Sequence, residues 1–220
     1  ARIKLGFCPT RRDVFDREVA IQYGQRIKGL MEAWDVDYVG LEGINEEELL
    51  FQDCDLETII NRFKEAHVDA MFFPHCNFGS EGLVAQVAAA LQVPVLLWGP
   101  RDNAPLPNGL RERDTQCGLF ATGKVLRRFN VPFTYLTNSW IDGPEFKAGF
   151  EKFLAVANVV KSVKNLRILQ ISTRPQPFWS VMYNENELLE RFGIQIYPIP
   201  LPEVTLKMDA LLREGNQAVR

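Results

Sequence analysis

The sequence predicts an α/β fold built on a doubly wound parallel sheet. Short apolar runs alternate along the chain with longer amphipathic segments, which is the order of strands and helices in such folds. Several of these runs are mostly apolar, as is typical of strands covered by helices on both faces of the sheet. We expect five strands in the flavodoxin-like order 2-1-3-4-5, followed by the beginning of a second α/β domain.

The strands and helices of the first domain are predicted in strict alternation. The first strand is expected at residues 2–8, where polar and apolar residues alternate before an apolar end. The other strands are expected at the mostly apolar residues 36–41, 68–73, 94–98 and 132–136. The helices are expected at residues 14–32, 56–66, 80–92, 115–129 and 145–164. Apolar side chains recur at helical spacing in these segments. In the first helix the predicted inner face contains Val14, Ile21, Ile27, Leu30 and Met31.

Capping residues are expected at the starts of the helices, where the first backbone N–H groups have no partner within the helix. Thr10 or Asp13 is predicted to cap the first helix, and Ser80 or Asn77 the helix after the third strand. The acidic residues 46–48 are typical of a helix N-terminus, because negative charge is favoured there.

A second α/β domain is predicted to begin after the long helix. Its strands are expected at residues 166–171 and 194–199, and its helices at residues 180–192 and 203–212. We therefore divide the chain into an N-terminal domain at residues 1–164 and the beginning of a second domain at residues 165–220. The second part is short for a domain and would bury little apolar surface on its own.

Composition excludes several classes of protein. The formal net charge is −3, and basic residues do not form long runs, which argues against nucleic-acid binding. No apolar run approaches 18 residues, and the chain begins directly with a predicted strand, so we expect neither a membrane span nor a signal peptide. The four cysteines show no CxxC spacing and are expected to be free thiols of a cytoplasmic protein.

The candidate site lies where the predicted strands end. Pro74 is expected to end the third strand, because proline has no N–H for the strand ladder. The loops at residues 9–13, 74–80 and 99–103 then meet at the carboxyl edge of the sheet, where open α/β folds bind their ligands. Hydrogen-bond donors beside aromatic rings suit a polyhydroxylated ligand. The candidate binding residues in and beside these loops are Arg11, Arg12, His75, Asn77, Phe78, Trp98 and Arg101.

Structural roles compete with binding at these positions. Arg11 and Arg12 could equally form surface ion pairs with Asp13 or Asp102. For His75 a structural hydrogen bond is favoured over catalysis. Nucleotide-binding glycine motifs, a serine nucleophile elbow and a cluster of metal-ligating side chains are missing from the sequence. We therefore assign no catalytic residue and no metal ligand to this chain.

Four stretches carry a resemblance to a known family. Residues 5–9 read LGFCP before an arginine-containing loop, and residues 94–99 end in Trp-Gly. Residues 74–81 read PHCNFGSE, which is similar to the loop PCWCYGSE of fucose isomerases. Residues 167–203, with a strand, a loop, a helix and another strand, are similar to the start of the second domain of fucose isomerases. In these features nearly the whole chain resembles the N-terminal region of the L-fucose/L-arabinose isomerase family.

The resemblance implies an aldose–ketose isomerase, which is an intramolecular oxidoreductase acting on a monosaccharide. In this family a divalent cation, usually Mn²⁺, polarises the sugar oxygens, and carboxylates move a proton through an enediol. These groups lie in parts of the family's sequence outside this chain, so the chain alone is expected to be inactive. In the family the first domain lines the active site of a neighbouring subunit in a trimer or hexamer. The resemblance therefore implies, by position, that Arg11, Arg12, Cys76 and Asn77 would contact sugar hydroxyls there.

One departure from the family bears on the substrate. Cys76 stands where fucose isomerases have a stacking tryptophan, so the stacking ring is expected from Phe78 or Trp98 instead. The alternative function is a sugar- or small-solute-binding α/β module without catalysis, with the helix at residues 145–164 as a hinge. A receiver-like signalling domain is disfavoured, because the third strand ends in Pro-His and not in an aspartate.

Overall fold

A computed structural model of the chain describes residues 3–215. Within them lie seven strands and seven α-helices. The strands are β1 (Leu5–Phe7), β2 (Tyr38–Val39), β3 (Ala70–Pro74), β4 (Val95–Trp98), β5 (Thr134–Tyr135), β6 (Arg167–Ile171) and β7 (Gln195–Ile199). The helices are α1 (Arg17–Ala33), α2 (Leu56–Glu65), α3 (Glu81–Leu91), α4 (Thr115–Arg128), α5 (Pro144–Val163), α6 (Glu185–Phe192) and α7 (Leu201–Arg213).

Strands β1 to β5 form one parallel sheet in the order β2-β1-β3-β4-β5. The central register places Phe72 of β3 beside Phe7 of β1 and Leu96 of β4. Because all five strands run in the same direction, the loops that follow β1, β3 and β4 leave the sheet at one edge. The predicted α/β fold class and the strand order 2-1-3-4-5 are confirmed.

Helices α2, α3 and α4 cover one face of this sheet. Alternate strand residues point to that face, and their side chains pack with those of the three helices in a buried apolar cluster. The cluster includes Cys8, Met71, Phe73, Val95 and Leu97 from the strand regions and Ile59, Phe63, Val84, Val87, Leu119 and Leu126 from the helices. Burial on this face explains why alternate residues of β3 and β4 are apolar.

Helices α1 and α5 cover the opposite face with a core rich in aromatic rings. The ring of Trp98 stacks on that of Phe146 with their centroids 3.7 Å apart, and the Trp98 indole N–H donates to the Ser139 hydroxyl at 3.0 Å. Phe72 lies 5.3 Å from Phe150 in the same cluster, measured between ring centroids. Both faces of the sheet are therefore covered, as a doubly wound sheet requires.

The chain divides into two compact units at residues 158 and 159. Within the second unit, β6 and β7 form a two-stranded parallel sheet in which Ile168 lies beside Ile196. Asn184 caps α6 by accepting a hydrogen bond from the Glu187 N–H at 3.2 Å. The domain limits predicted from the sequence, 1–164 and 165–220, stay a prediction.

The predicted start and cap of the first helix are wrong. Helix α1 begins at Arg17, and its cap is Asp16, which accepts from the Val19 N–H at 2.9 Å, so neither Thr10 nor Asp13 caps it. Val14 therefore precedes the helix and is 79% exposed. It takes no part in the inner face of α1 that its spacing from Ile21 predicted.

Other predictions about local structure are corrected by hydrogen bonding. The strand β3 ends at Pro74, as predicted, although Pro74 is itself part of the strand and its carbonyl accepts a hydrogen bond from the Thr10 N–H at 3.0 Å. Residues 46 and 47 form a turn, and residues 46–48 start no helix. Ser80 precedes α3, but its hydroxyl bonds elsewhere and does not cap the helix. The helix expected at residues 180–192 is split into a 3₁₀ turn at Trp179–Val181 and α6.

None of the helices within residues 3–215 is both long enough and apolar enough to cross a membrane.

Helix α4 approaches the loop after β3 so closely that position 118 must be glycine. A Cβ atom at Gly118 would collide with the backbone carbonyl of Phe78. We expect Gly118→Ala to lower the free energy of unfolding by about 2–3 kcal/mol, because backbone has to move to relieve the overlap. Urea unfolding followed by circular dichroism measures this change.

Gly82→Ala is the matched control, since Gly82 is also helical but a Cβ atom added there would meet nothing within 4 Å. It should leave stability unchanged or raise it by up to about 1 kcal/mol through helix propensity. Equal stability of the two variants would contradict the close packing of α4 on the Phe78 carbonyl.

Candidate functional site

The loops after β1 and β3 are joined by side chains that bond to backbone. The Thr10 hydroxyl donates to the Leu50 carbonyl at 2.8 Å and accepts from the Ser80 N–H at 2.9 Å. The Ser80 hydroxyl donates to the Arg11 carbonyl at 2.7 Å. Thr10 also forms parallel bridges with both Leu50 and His75. These contacts bring two of the three predicted loops together at the carboxyl edge.

Asn77 lies between the same two loops with its side chain buried. Its Oδ1 accepts hydrogen bonds from the backbone N–H groups of Arg12 at 2.9 Å, Phe78 at 2.5 Å and Gly79 at 3.4 Å. Its Nδ2 donates to the carbonyls of Arg12 and Asp16, both at 3.2 Å. The amide is thus fully occupied by backbone groups of this chain.

His75 is fully buried, with partners on both ring nitrogens. Nδ1 lies 3.2 Å from the Phe73 carbonyl, and Nε2 lies 2.8 Å from the Thr122 hydroxyl. Since a carbonyl can only accept, Nδ1 carries the proton and Nε2 accepts from Thr122. Burial lowers the pKa of His75 to about 4, so the ring is neutral at pH 7. The favoured structural role of His75 fits these contacts.

Gly79 allows the chain to pass close to this histidine. Its φ of +85° lies in the region that favours glycine, and a Cβ atom at this position would overlap the His75 ring. The loop between β3 and α3 therefore depends on both residues.

Arg11 is buried in a network of acidic and aromatic side chains. Its Nε lies 2.5 Å from Glu47 Oε2, another guanidinium nitrogen bonds Asp13, and its Cζ lies 3.7 Å above the Phe51 ring. Arg17 also reaches Glu47, at 2.7 Å. Burial alone would raise the pKa of Glu47, but the hydrogen bonds from the two arginines outweigh it and lower that pKa. Arg11 thus forms the ion pair with Asp13 that the sequence offered as the alternative to binding, and it also pairs with Glu47, which was not predicted.

Arg12 and Phe78 form a partly exposed pair on the outer side of these loops. The Arg12 Cζ lies 4.4 Å from the centroid of the Phe78 ring, and Phe15 stacks on the same ring at a centroid distance of 5.3 Å. The Arg12 guanidinium lies 3.6 Å from the Glu81 carboxylate, a long ion pair at the surface. This cation–π contact leaves guanidinium N–H groups at the edge of the sheet.

A second arginine–aromatic pair lies at the ends of β4 and β5. The Arg101 Cζ is 5.5 Å from the ring centroid of Trp140, and both side chains are exposed. The Arg101 N–H donates to the Ser139 carbonyl at 2.8 Å, which links their two loops. Sequence reasoning missed Trp140, although a tryptophan in a polar loop directly after a parallel strand was the available signal.

Buried polar residues also hold the third loop. Asp102 accepts from the Thr115 N–H at 2.9 Å at the start of α4, so it does not pair with Arg11 or Arg12. Arg113 is buried, donates to the carbonyls of Pro100 at 3.3 Å and Arg101 at 2.8 Å, and lies 3.8 Å above the Tyr23 ring. Arg113 was not predicted, because no local motif distinguishes it from a surface arginine.

The candidate binding residues fall into two groups. Arg12, Phe78 and Arg101 reach the surface, whereas the buried members are Arg11, His75, Cys76, Asn77 and Trp98. Burial raises the pKa of the Cys76 thiol to about 12, so it stays protonated. The faces of Trp98 are used by the core, whereas Phe78 and Trp140 reach the surface. As sugar contacts, all the predicted residues remain predictions.

Among residues 3–215, no group of three or more His, Cys, Asp and Glu side chains is arranged to hold a metal ion. His75, which lies at the predicted site, uses both ring nitrogens for protein contacts. The described side chains therefore do not fit a manganese centre.

The buried neutral histidine predicts a loss of stability in acid. In the unfolded chain His75 titrates near 6.5, but in the folded chain only near 4, so protons bind preferentially to the unfolded state between these values. The free energy of unfolding should fall as pH drops from 6.5 towards 4, with a slope of up to about 1.4 kcal/mol per pH unit from this group. Urea titrations at each pH measure it.

His75→Gln should remove this component of the slope, whereas the exposed His67 provides the control, and His67→Gln should keep it. If wild type and His75→Gln lose stability in parallel across this range, His75 is not the group responsible.

Comparison with known proteins identifies the family. Residues 6–164 match the family described as fucose/sulfoquinovose isomerase, N-terminal domain. No curated protein matches the chain. Among solved structures, the glycosyltransferase SnogD from Streptomyces nogalater shares 12% identity, with a TM-score of 0.29. That alignment covers 82% of this chain and 62% of SnogD, so the chain spans less than two thirds of that structure. From the match over residues 6–164, the chain belongs to the fucose/sulfoquinovose isomerase family and contains its N-terminal domain.

Proposed function

We propose that this chain is the N-terminal part of a metal-dependent aldose–ketose isomerase, and that its carboxyl-edge loops bind the sugar in the active site of a neighbouring subunit. The observation that carries the proposal is the family match over residues 6–164, which includes every one of these loops. The enzyme would act in the cytoplasm on a monosaccharide, as a homotrimer or homohexamer.

Arg12 is the residue best placed to contact the sugar. Its guanidinium is planar, permanently charged and rich in N–H donors, so it can bond two adjacent sugar oxygens at once. The Phe78 ring fixes its plane from one side, and the ion pair with Glu81 at 3.6 Å is too long to occupy it fully. A guanidinium does not release a proton near neutral pH, so Arg12 would bind and orient the sugar without acting as a base.

Arg101 and Trp140 offer a second surface of the same kind. Their exposure and their position after β4 and β5 place them on the edge that carries Arg12. The buried candidates would not touch the sugar but would support the loops that carry Arg12 and Arg101. They are Arg11, His75, Cys76, Asn77 and Trp98. Trp140 would then take the place of the family's stacking tryptophan, because the Phe78 ring already contacts Arg12 and Phe15.

Metal binding and proton transfer are assigned to parts of the enzyme outside this chain. There a divalent cation such as Mn²⁺ would supply Lewis-acid polarisation of the sugar oxygens. The described residues of this chain would hold the substrate and exclude water at the rim of a neighbour's site. By itself the chain should therefore bind sugar weakly and turn nothing over.

An assay of two proteins tests the proposal. The 220-residue chain and the longer product of the native gene are each incubated with MnCl₂ and with L-fucose, L-arabinose or sulfoquinovose, and ketose formation is measured. We expect that only the longer protein converts the aldose to the ketose. Turnover by the isolated chain would overturn the assignment of catalysis to other parts. Tight sugar binding by the chain, with no turnover by either protein, would instead establish a binding module.

A substitution at Arg12 should weaken catalysis by the longer enzyme without unfolding it. Arg12→Ala removes charge-assisted hydrogen bonds of about 1.5–3 kcal/mol, so kcat/KM should fall about 10- to 100-fold. The kcat/KM of Arg12→Lys should lie between those of wild type and Arg12→Ala, because an ammonium keeps the charge but lacks the bidentate geometry of a guanidinium. Steady-state kinetics measure these losses.

Arg127→Ala is the control for charge. Arg127 is exposed in the last turn of α4, at the end of the helix away from the candidate site. The Arg127→Ala variant should retain the wild-type kcat/KM. Equal activity of the Arg12 and Arg127 variants would exclude Arg12 from substrate binding.

A further inference from the structure

We propose that Asn77 is a positioning residue, whose amide sets the relative placement of Arg12 and Phe78 and does not itself touch the sugar. The inference rests on the proposed function, in which the Arg12–Phe78 pair faces the substrate. It also gives Asn77 a different role from that of a direct sugar contact.

The first support is that one buried side chain holds both ends of Arg12. Oδ1 accepts from the Arg12 N–H at 2.9 Å, and Nδ2 donates to the Arg12 carbonyl at 3.2 Å. The same Oδ1 accepts from the Phe78 N–H at 2.5 Å. Arg12 and Phe78 are far apart in sequence, so this amide is a direct polar link between their backbones.

The second support is that these contacts need the two ends of an amide. Asn offers an acceptor and two donors, whereas Asp at neutral pH offers acceptors alone. An aspartate at position 77 would keep the bonds from the Arg12 and Phe78 N–H groups. It would place a carboxylate oxygen against the carbonyls of Arg12 and Asp16, where Nδ2 now donates.

The third support is that Phe78 is also held from the opposite side. Gly118 of α4 packs directly on the Phe78 carbonyl, and the Asp114 N–H donates to the Asn77 carbonyl at 3.1 Å. The loop after β3 is therefore fixed by α4, and Asn77 transfers that fixed position to the loop after β1. The guanidinium of Arg12 lies 4.4 Å from the Phe78 ring as a result.

Positioning matters for catalysis because small displacements of a binding group are costly. A shift of about 1 Å at a binding group can cost about 100-fold in rate. Without the Asn77 amide, the Arg12 backbone loses the side-chain partner of both its N–H and its carbonyl, and the loop after β1 is free to move. The predicted consequence is a loss of activity that depends on the presence of the Arg12 side chain.

A double-mutant cycle in the longer, assembled enzyme tests this dependence. Asn77→Ala and Asn77→Asp should each lower kcat/KM about 10- to 100-fold. In an Arg12→Ala background, the same changes at position 77 should have almost no further effect, because the group they position is gone. If the loss of kcat/KM in the double variant equals the product of the losses in the two single variants, the positioning role is overturned. Asn184→Ala, which removes an asparagine cap in the second unit, is the control and should keep wild-type kinetics.

Hydrogen exchange on the 220-residue chain supplies a readout that does not need activity. Asn77→Ala should speed amide exchange at Arg12 and Phe78 at least about 10-fold, since Asn77 Oδ1 is the acceptor for both N–H groups. Amides of β4 should exchange as in wild type. Unchanged exchange at Arg12 and Phe78 would overturn the inference, and so would equal acceleration throughout the chain.

The two experiments separate the inference from the proposed function. If the longer enzyme shows no isomerase activity, the proposed function fails, while the exchange measurement still decides whether Asn77 holds Arg12 and Phe78. Should Asn77→Ala fail to fold, Asn77→Asp takes its place in the double-mutant cycle. A loss that disappears in the Arg12→Ala background then supports the inference, and a loss of the same size in both backgrounds overturns it.

Discussion

The carboxyl edge of the sheet depends on side chains that satisfy buried backbone groups. Where parallel strands end, their last N–H and C=O groups leave the ladder, and an unpaired polar group is costly to bury. Four side chains supply the missing partners by forming hydrogen bonds with the backbone of another loop. They belong to Thr10, Asn77, Ser80 and Thr115. The loops therefore form one connected layer above the sheet, and their exposed side chains have defined positions.

Two kinds of arginine occupy this layer. Arg11 and Arg113 are buried, and their guanidinium groups are used by Glu47 or by backbone carbonyls and lie over aromatic rings. Arg12 and Arg101 lie over aromatic rings as well, but reach the surface. The buried pair stabilises the loops, and the exposed pair is available to a ligand or a neighbouring subunit. This arrangement supports the proposal that the domain completes a site whose catalytic groups lie elsewhere.

Close packing limits which residues can occupy the edge. Gly79 passes beside the His75 ring and Gly118 beside the Phe78 carbonyl, so neither position has room for a Cβ atom. His75 remains neutral because a charged ring would be buried with only a carbonyl and a hydroxyl as partners. The site is therefore built on rigid contacts between α4 and the loops, and its chemistry is confined to the few side chains that point away from them.

The sequence by itself determined the fold class, the strand order and the edge at which the candidate residues gather, because strand and helix periodicity and the polar loops after each strand are local signals. It also identified the family through the loops at residues 5–9 and 74–81. The tertiary structure alone decided which candidates are buried. Asn77 and Phe78 are neighbours in the sequence, yet one is enclosed and the other partly exposed, because burial depends on contacts with Arg12, Asp16 and Gly118, which are distant in the chain.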